Sequence, residues 1–245
     1  MNRSAVAVAA AAATRRGRDP QRTGRAAWSV IAVLILVSYN TRIWWQPLNG
    51  DPAILRGYLS ELAAADQPHH LFFRAGDLVA AVLILVTAVT GLARVGRGVA
   101  RRWWAAAYAG LTLLAASIAA GAIFPMDCSP SLDRSCAVAE HAGAVTPAHD
   151  LHTLAGVGVE IGLLGALVAG SVALRRVGRP RLSWLLVAMI VIEVIGLSVI
   201  TGFFSFGVRA IAYPQVLTVL NASTAGALAA LGQAVAALHR PRGGR

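Results

Sequence analysis

Six runs of about 20 mostly apolar residues, at roughly 27–45, 71–93, 103–125, 149–174, 182–204 and 214–238, divide this chain of 245 residues. At about 1.5 Å per helical residue, some 20 residues cross a hydrocarbon layer about 30 Å thick, so each run has the length of a membrane span. A soluble helical core would show polar stripes at helical spacing, and these runs mostly lack them. With 57% apolar and 13% charged residues, the chain is also too apolar for an ordinary soluble domain. The expected fold is all-α, a polytopic bundle of six transmembrane helices.

The net charge of +11 comes from 22 arginines and no lysine. Seventeen of the arginines lie in four places: the N-terminal stretch from Arg3 to Arg25, the 94–102 and 175–181 loops, and the tail after His239. Threading six spans puts all four on one side. The other side receives Arg42, Arg56, Arg74, Arg134, Arg209 and most of the acids. This is the positive-inside pattern, which predicts that both termini are cytoplasmic. The basic loops suit anionic lipid headgroups, so membrane lipids are the expected partners. No motif supports a nucleic-acid partner. Residues 1–26 read as a disordered basic cytoplasmic tail, 27–238 as the membrane domain and 239–245 as a second basic tail.

Alternation of the spans leaves 46–70 and 126–148 as the two long outer loops. Cys128 and Cys136, with seven residues including Pro130 between them, are expected to form a structural disulfide in an oxidising compartment. A redox role would favour C-x-x-C, which is absent. In the first loop, Asp51 followed by Pro52 is a helix-start pattern. Ile54, Leu55, Tyr58, Leu59 and Leu62 form one stripe at 100° per residue, which predicts a short amphipathic helix that lies flat at the membrane surface or caps the bundle. Pro68 ends it before His69 and His70.

Ionisable groups within spans cost several kcal/mol unless paired or hydrated, so each needs a reason. Arg74 and Asp77, three apart on one helical face, are expected to form an ion pair. His69 and His70 open the second span; His149, Asp150 and His152 open the fourth at the same depth. Zinc takes three or four ligands about 2 Å away, and His149 and His152 with His69 or His70 are a candidate set, with His141 in reserve. Asp77 and Asp127 are candidate bases or supporting groups. The alternative is that these imidazoles lie half-wet at the headgroup boundary without a metal. A bis-histidine haem is a weaker option. Glu160 and Glu193 fall near the midplane with no buried cation at their depth, so at least one is expected to carry a proton. They are candidates for a proton relay, with a hydrogen-bonded structural carboxyl as the alternative.

The stretches "YLSELAAADQPHHLFFRAGDLVAAVLIL", "IFPMDCSPS", "HDLHTLAG" and "FGVRAIA", taken in order, resemble the bacterial six-span membrane family called domain of unknown function nine-nine-eight. The resemblance covers roughly 27–238 and implies a six-helix bundle in the bacterial cytoplasmic membrane, with no settled activity. More distantly, the chain is similar to the alkaline ceramidase and adiponectin-receptor superfamily of membrane hydrolases. That likeness implies a zinc site using Ser60, His69 or His70, Asp77, His149 and His152. It departs from the superfamily in three respects: Ser60 lies in a loop, the histidine pair is spaced by three, and there are six spans. Three functions are compatible with these residues: a zinc-dependent hydrolase of a lipid or amide, a proton-linked transporter or lipid exporter using Glu160 and Glu193, and a non-catalytic envelope scaffold or stress protein.

Overall fold

Prolines mark where several helices begin. Pro20, Pro147 and Pro180 each occupy the first helical position, where a missing N–H breaks no hydrogen bond, and Pro214 lies in the first turn of the last helix. The computed structural model describes residues 20–238. Its helices are α1 (Pro20–Tyr39), α2 (Trp45–Leu48), α3 (His70–Ala93), α4 (Arg101–Ile123), α5 (Arg134–His141), α6 (Pro147–Arg176), α7 (Pro180–Ser205) and α8 (Ala212–Leu238). No strand occurs among the described residues. Helices α3, α4, α6, α7 and α8 are each long and apolar enough to cross a membrane. A bent pair, in which the chain turns by 46° between Arg22–Tyr39 and Thr41–Leu48, is long and apolar enough to be a sixth when taken as one span. This is a multi-pass, all-helical membrane protein.

Three local expectations change. Residues 20–26, read as the end of a disordered tail, are the first turns of α1; the rest of that tail, and 239–245, lie outside the described residues. The first long loop forms no flat amphipathic helix. Asp51 does cap a start, its carboxylate accepting from Ala53 N at 2.8 Å, but Pro52–Arg56 and Leu59–Ala63 are two separate 3-10 turns. Ile54 and Leu62 are fully buried in a cluster with Phe73 of α3, Leu55 packs against that cluster and Leu59 is buried, so the stripe caps the bundle. The third difference is α5, a two-turn helix in the second long loop.

The helices pack as a ring in chain order. α1 lies against α3, α3 against α4, α4 against α6, α6 against α7 and α7 against α8; α8 returns to α1 and also touches α3. Short turns enforce this order. Between α6 and α7, Gly178 takes φ +73°, and the N–H groups of Gly178 and Arg179 reach back to the carbonyls of Arg175 and Leu174. That closing motif needs a left-handed residue, which glycine supplies without a Cβ clash. The interior is built largely of small residues with Ile35, Ile84, Leu114, Leu163 and Met189 among them. Lipid tails are as apolar as leucine, so helices in a membrane associate chiefly through close fit. The approach of α4 to α6 shows this: a Cβ on Gly162 would lie 2.5 Å from Leu114 N, and one on Gly110 would lie 2.6 Å from Ala166 N. Large apolar side chains such as Trp184, Ile192 and Ile195 on α7 point outward, as lipid contact requires.

Candidate functional site

One end of the bundle, the loop end, carries the two long connections. The other, the arginine end, carries the 94–100 turn and the 177–179 turn. At the loop end, Glu61 holds the two loops together. Its side chain is almost completely buried, yet it accepts from Tyr58 N at 2.9 Å, Ser131 N at 3.0 Å, Ser131 Oγ at 2.6 Å and Ser129 Oγ. Asp66 accepts from Ser129 N at 3.1 Å. Gly57 makes room for this contact, since a Cβ there would strike Glu61 and Ser131. The Cys128–Cys136 disulfide, with Cα atoms 6.0 Å apart, closes the loop that supplies these serines. The cysteines are therefore a brace.

Asp127 follows the brace at one remove. Its carboxylate accepts from Thr146 Oγ1 at 2.6 Å and Thr146 N at 2.8 Å, fastening the residue that precedes α6. Those hydrogen bonds from Thr146 hold the carboxyl below its usual range, with the His149 ring adding a smaller pull in the same direction. A lowered carboxylate stabilises the fold at neutral pH, and that contribution disappears as acidification protonates it. Asp127 thus caps and fastens the start of α6.

The expected Arg74–Asp77 pair is not formed. Asp77 instead takes a two-pronged contact from Arg42, with Nη1 donating at 2.8 Å and Nη2 at 2.7 Å, both side chains about nine-tenths buried. Arg42 also donates to Tyr39 O at 3.2 Å. The 46° bend after Tyr39 brings Arg42 inward, and Gly76 permits the approach: a Cβ there would lie 2.5 Å from Thr41 Cγ2. Arg74 turns to the end of α4 and donates to the carbonyls of Ala122 at 2.8 Å and Ile123 at 3.3 Å. A cation there meets the unsatisfied carbonyls of a helix C-terminus.

The histidines do not converge on a metal. His70 Nδ1 lies 3.0 Å from Gln67 O, while His69 takes the left-handed conformation, φ +55°, at the start of α3. His149 is fully buried, and its Nδ1 accepts from Asp127 N at 3.2 Å while Nε2 faces Glu140 at 3.6 Å. His152 Nδ1 donates to the carbonyls of Gly121 at 2.9 Å and Phe124 at 3.1 Å. Equal depth brought these residues to one level, but each ring is turned to a different neighbour. Among the described residues no group of three or more His, Cys, Asp or Glu side chains can hold a metal ion. His141 ends α5 at the exposed surface. The hydrolase arrangement also requires Asp77, which is closed on Arg42.

Two of the cavities between the helices bear on these residues. The loop-side cavity, about 490 Å³, reaches from Tyr58, Ser60 and Glu140 past the Arg42–Asp77 pair and His152 to Glu160. Val157, Leu197, Ile200 and Phe204 form an apolar flank. Burial pushes the Tyr58 phenol above its usual range, helped by the Glu61 and Glu140 carboxylates, so it keeps its proton at neutral pH. The arginine-side cavity, about 520 Å³, is lined by Arg94, Tyr108, Gln233 and apolar residues of α6, α7 and α8. There Arg94 Nη1 donates to Gln233 Oε1 at 2.6 Å, and Gln233 Nε2 donates to Tyr108 Oη at 3.1 Å.

A thin barrier separates the two. On α6 the lining passes from Glu160 to Ala166, and on α8 from Ala222 to Ala225. Six residues on one helix and three on the other correspond to about 9 Å and about 4.5 Å of axial rise. Leu114, Leu163, Met189 and Glu193 fill the gap and are buried. Glu193 Oε2 accepts from Asn221 Nδ2 at 2.6 Å, and Asn221 also donates to Met189 O at 2.9 Å. The Glu160 and Glu193 side chains face each other across α6 and α7, close enough to act on one another. One oxygen on each, Glu160 Oε2 and Glu193 Oε1, is buried with no hydrogen-bond partner. Residue spacing alone had brought the two glutamates to one depth; Asn221, the residue that orients Glu193, gave no sign beyond being a polar side chain in an apolar run.

No curated protein and no solved structure matches this chain. A family model does match, over residues 30–240, which includes every helix from the middle of α1 to the end of α8 and both loops of the brace. The chain therefore belongs to the family described as Protein of unknown function (DUF998).

Proposed function

We propose that this protein is a transporter that moves an amphiphilic molecule between the loop-side and arginine-side cavities, coupled to a proton carried by Glu160 and Glu193. The observation behind this reading is the pair of cavities on opposite sides of a barrier about one to two helical turns thick. Such a barrier can be crossed by a modest shift of α7 and α8 against the rest, the kind of rearrangement that alternating access uses. Two facing carboxyls with no cation recorded beside them can share a proton, and Glu160 reaches the loop-side cavity, from which that proton can be exchanged. The arginine distribution supports a direction in which the arginine end is cytoplasmic and the loop end faces outward from a bacterial cytoplasmic membrane. An oxidising outer compartment also suits the disulfide. The apolar flank along α6 and α7 suits a molecule that enters from the lipid.

The test uses vesicles containing the purified protein, a pH gradient and three fluorescent amphiphiles, one cationic, one anionic and one zwitterionic. At least one is expected to move faster than in protein-free vesicles when the gradient is imposed. Glu193→Gln keeps the hydrogen-bonding shape but removes the exchangeable proton, and gradient-driven movement is expected to fall by at least about tenfold. Movement of all three at the protein-free rate, or an unchanged rate in Glu193→Gln, would refute the transport reading.

A further inference from the structure

We infer that the loop-side cavity binds a hydrophobic organic cation, with Glu160 and Glu140 supplying the charge and the α6–α7 flank the apolar contact. This deepens the transport reading and rests on it only for movement, since binding stands without it. The cavity contains two basic side chains, and neither is free to take an anion. Arg42 spends its guanidinium on both oxygens of Asp77 and on Tyr39 O. His152 spends its Nδ1 proton on two carbonyls, which leaves the Nε2 lone pair as its remaining polar capacity.

The acids are differently placed. Glu160 lines the inner part of the cavity and carries one buried oxygen with no hydrogen-bond partner, while Glu140, whose side chain is 41% exposed and lies 3.6 Å from His149 Nε2, lines the cavity mouth from α5. Asp77 is already neutralised by Arg42. A phosphate or carboxylate headgroup would meet acceptors and no unspent cation, whereas a positive group meets two carboxyls at different depths. Tyr58 and Phe204 add aromatic rings to the lining, and such rings attract cations electrostatically; the Tyr39 ring is already covered by Arg42. A volume of about 490 Å³ accommodates a drug-sized molecule. The shared chemistry is a positive centre attached to apolar groups, as found in a free lipophilic cation or in the amine headgroup of a lipid.

Tetraphenylphosphonium and tetraphenylborate have the same shape and opposite charge, so they separate charge recognition from apolar burial. The experiment measures binding of both to the full chain in phosphatidylglycerol nanodiscs, with empty discs of the same composition subtracted. Tetraphenylphosphonium is expected to bind at least about tenfold more tightly, a small ratio for carboxylates in a partly buried site. Glu140→Gln, which keeps the side chain's shape beside His149, is expected to reduce the preference, and Glu140→Gln with Glu160→Gln to abolish it. Replacing part of the phosphatidylglycerol by phosphatidylethanolamine identifies the source: weaker phosphonium binding assigns the cavity to the lipid amine, and unchanged binding to a free cation. Equal or tighter borate binding, or no binding of either ion above empty discs, overturns the inference. Phosphonium binding without gradient-driven movement keeps it and removes the transport reading instead.

Discussion

Asp77→Ala is expected to lower the unfolding free energy by about 3–5 kcal/mol, because it strands the Arg42 guanidinium inside the bundle. Both side chains are about nine-tenths buried, and the contact uses two nitrogens and two oxygens at 2.7–2.8 Å. Without Asp77, the one other acceptor recorded for Arg42 is the carbonyl of Tyr39. Most of the loss belongs to the abandoned charge and little to the pair itself, because taking two ions out of water offsets much of their attraction. A shape-matched apolar pair, Arg42→Met with Asp77→Leu, is therefore expected to recover most of the stability lost in Asp77→Ala. Unfolding in mixed micelles measures both. If the single variant loses less than about 1 kcal/mol, the value typical of an exposed pair, the contact is not buried as described.

Glu61→Ala is the second large effect, with an expected loss of about 3 kcal/mol or more. Four donors converge on this carboxylate, two from backbone N–H groups and two from serine hydroxyls. Hydrogen bonds to a charged acceptor contribute about 1.5–3 kcal/mol each, and a buried donor left without a partner adds its own penalty. Glu61 lies in the first loop while Ser129 and Ser131 lie in the second, so the substitution should also free the two loops from each other. Proteolysis in folded membranes distinguishes this from global unfolding: cleavage within 57–66 or 128–141 should rise while the helices stay protected. Intact, uncut loops in Glu61→Ala would show that the disulfide and Asp66 hold them without Glu61.

Both residues illustrate what can and cannot be read from a chain like this. Length and composition made the apolar runs legible as helices because a bilayer leaves the backbone few alternatives to internal hydrogen bonding. The Cys128–Cys136 disulfide and the Asp51 cap followed from compartment and local pattern. Helical spacing points from Asp77 to Arg74, three residues along; Arg42, 35 residues away, is invisible without the bend after Tyr39. The histidines failed for a related reason. Spacing gives depth along a helix, but the direction of a ring depends on which neighbour it faces, and His149 and His152 face different ones. Glu61 was passed over because the first loop was read as a surface helix, in which a glutamate needs no explanation. Its signal was present in the interval from Tyr58 to Glu61, which matches a capping arrangement. Glu160 and Glu193 were conspicuous from the cost of carboxyls at mid-depth, whereas the cavities are products of tertiary packing and left no trace in any one segment.

The central claim is that the two cavities open to opposite ends of the bundle and are divided at Leu163 and Glu193. Sided labelling tests it directly, since both native cysteines are joined in a disulfide. Ser117→Cys places a thiol in the loop-side cavity and Ala229→Cys places one in the arginine-side cavity. In sealed vesicles of known orientation, a charged, membrane-impermeant thiol reagent should modify the first only from the loop side and the second only from the arginine side. Labelling of both positions from the same side, or of neither from any side, would contradict the arrangement.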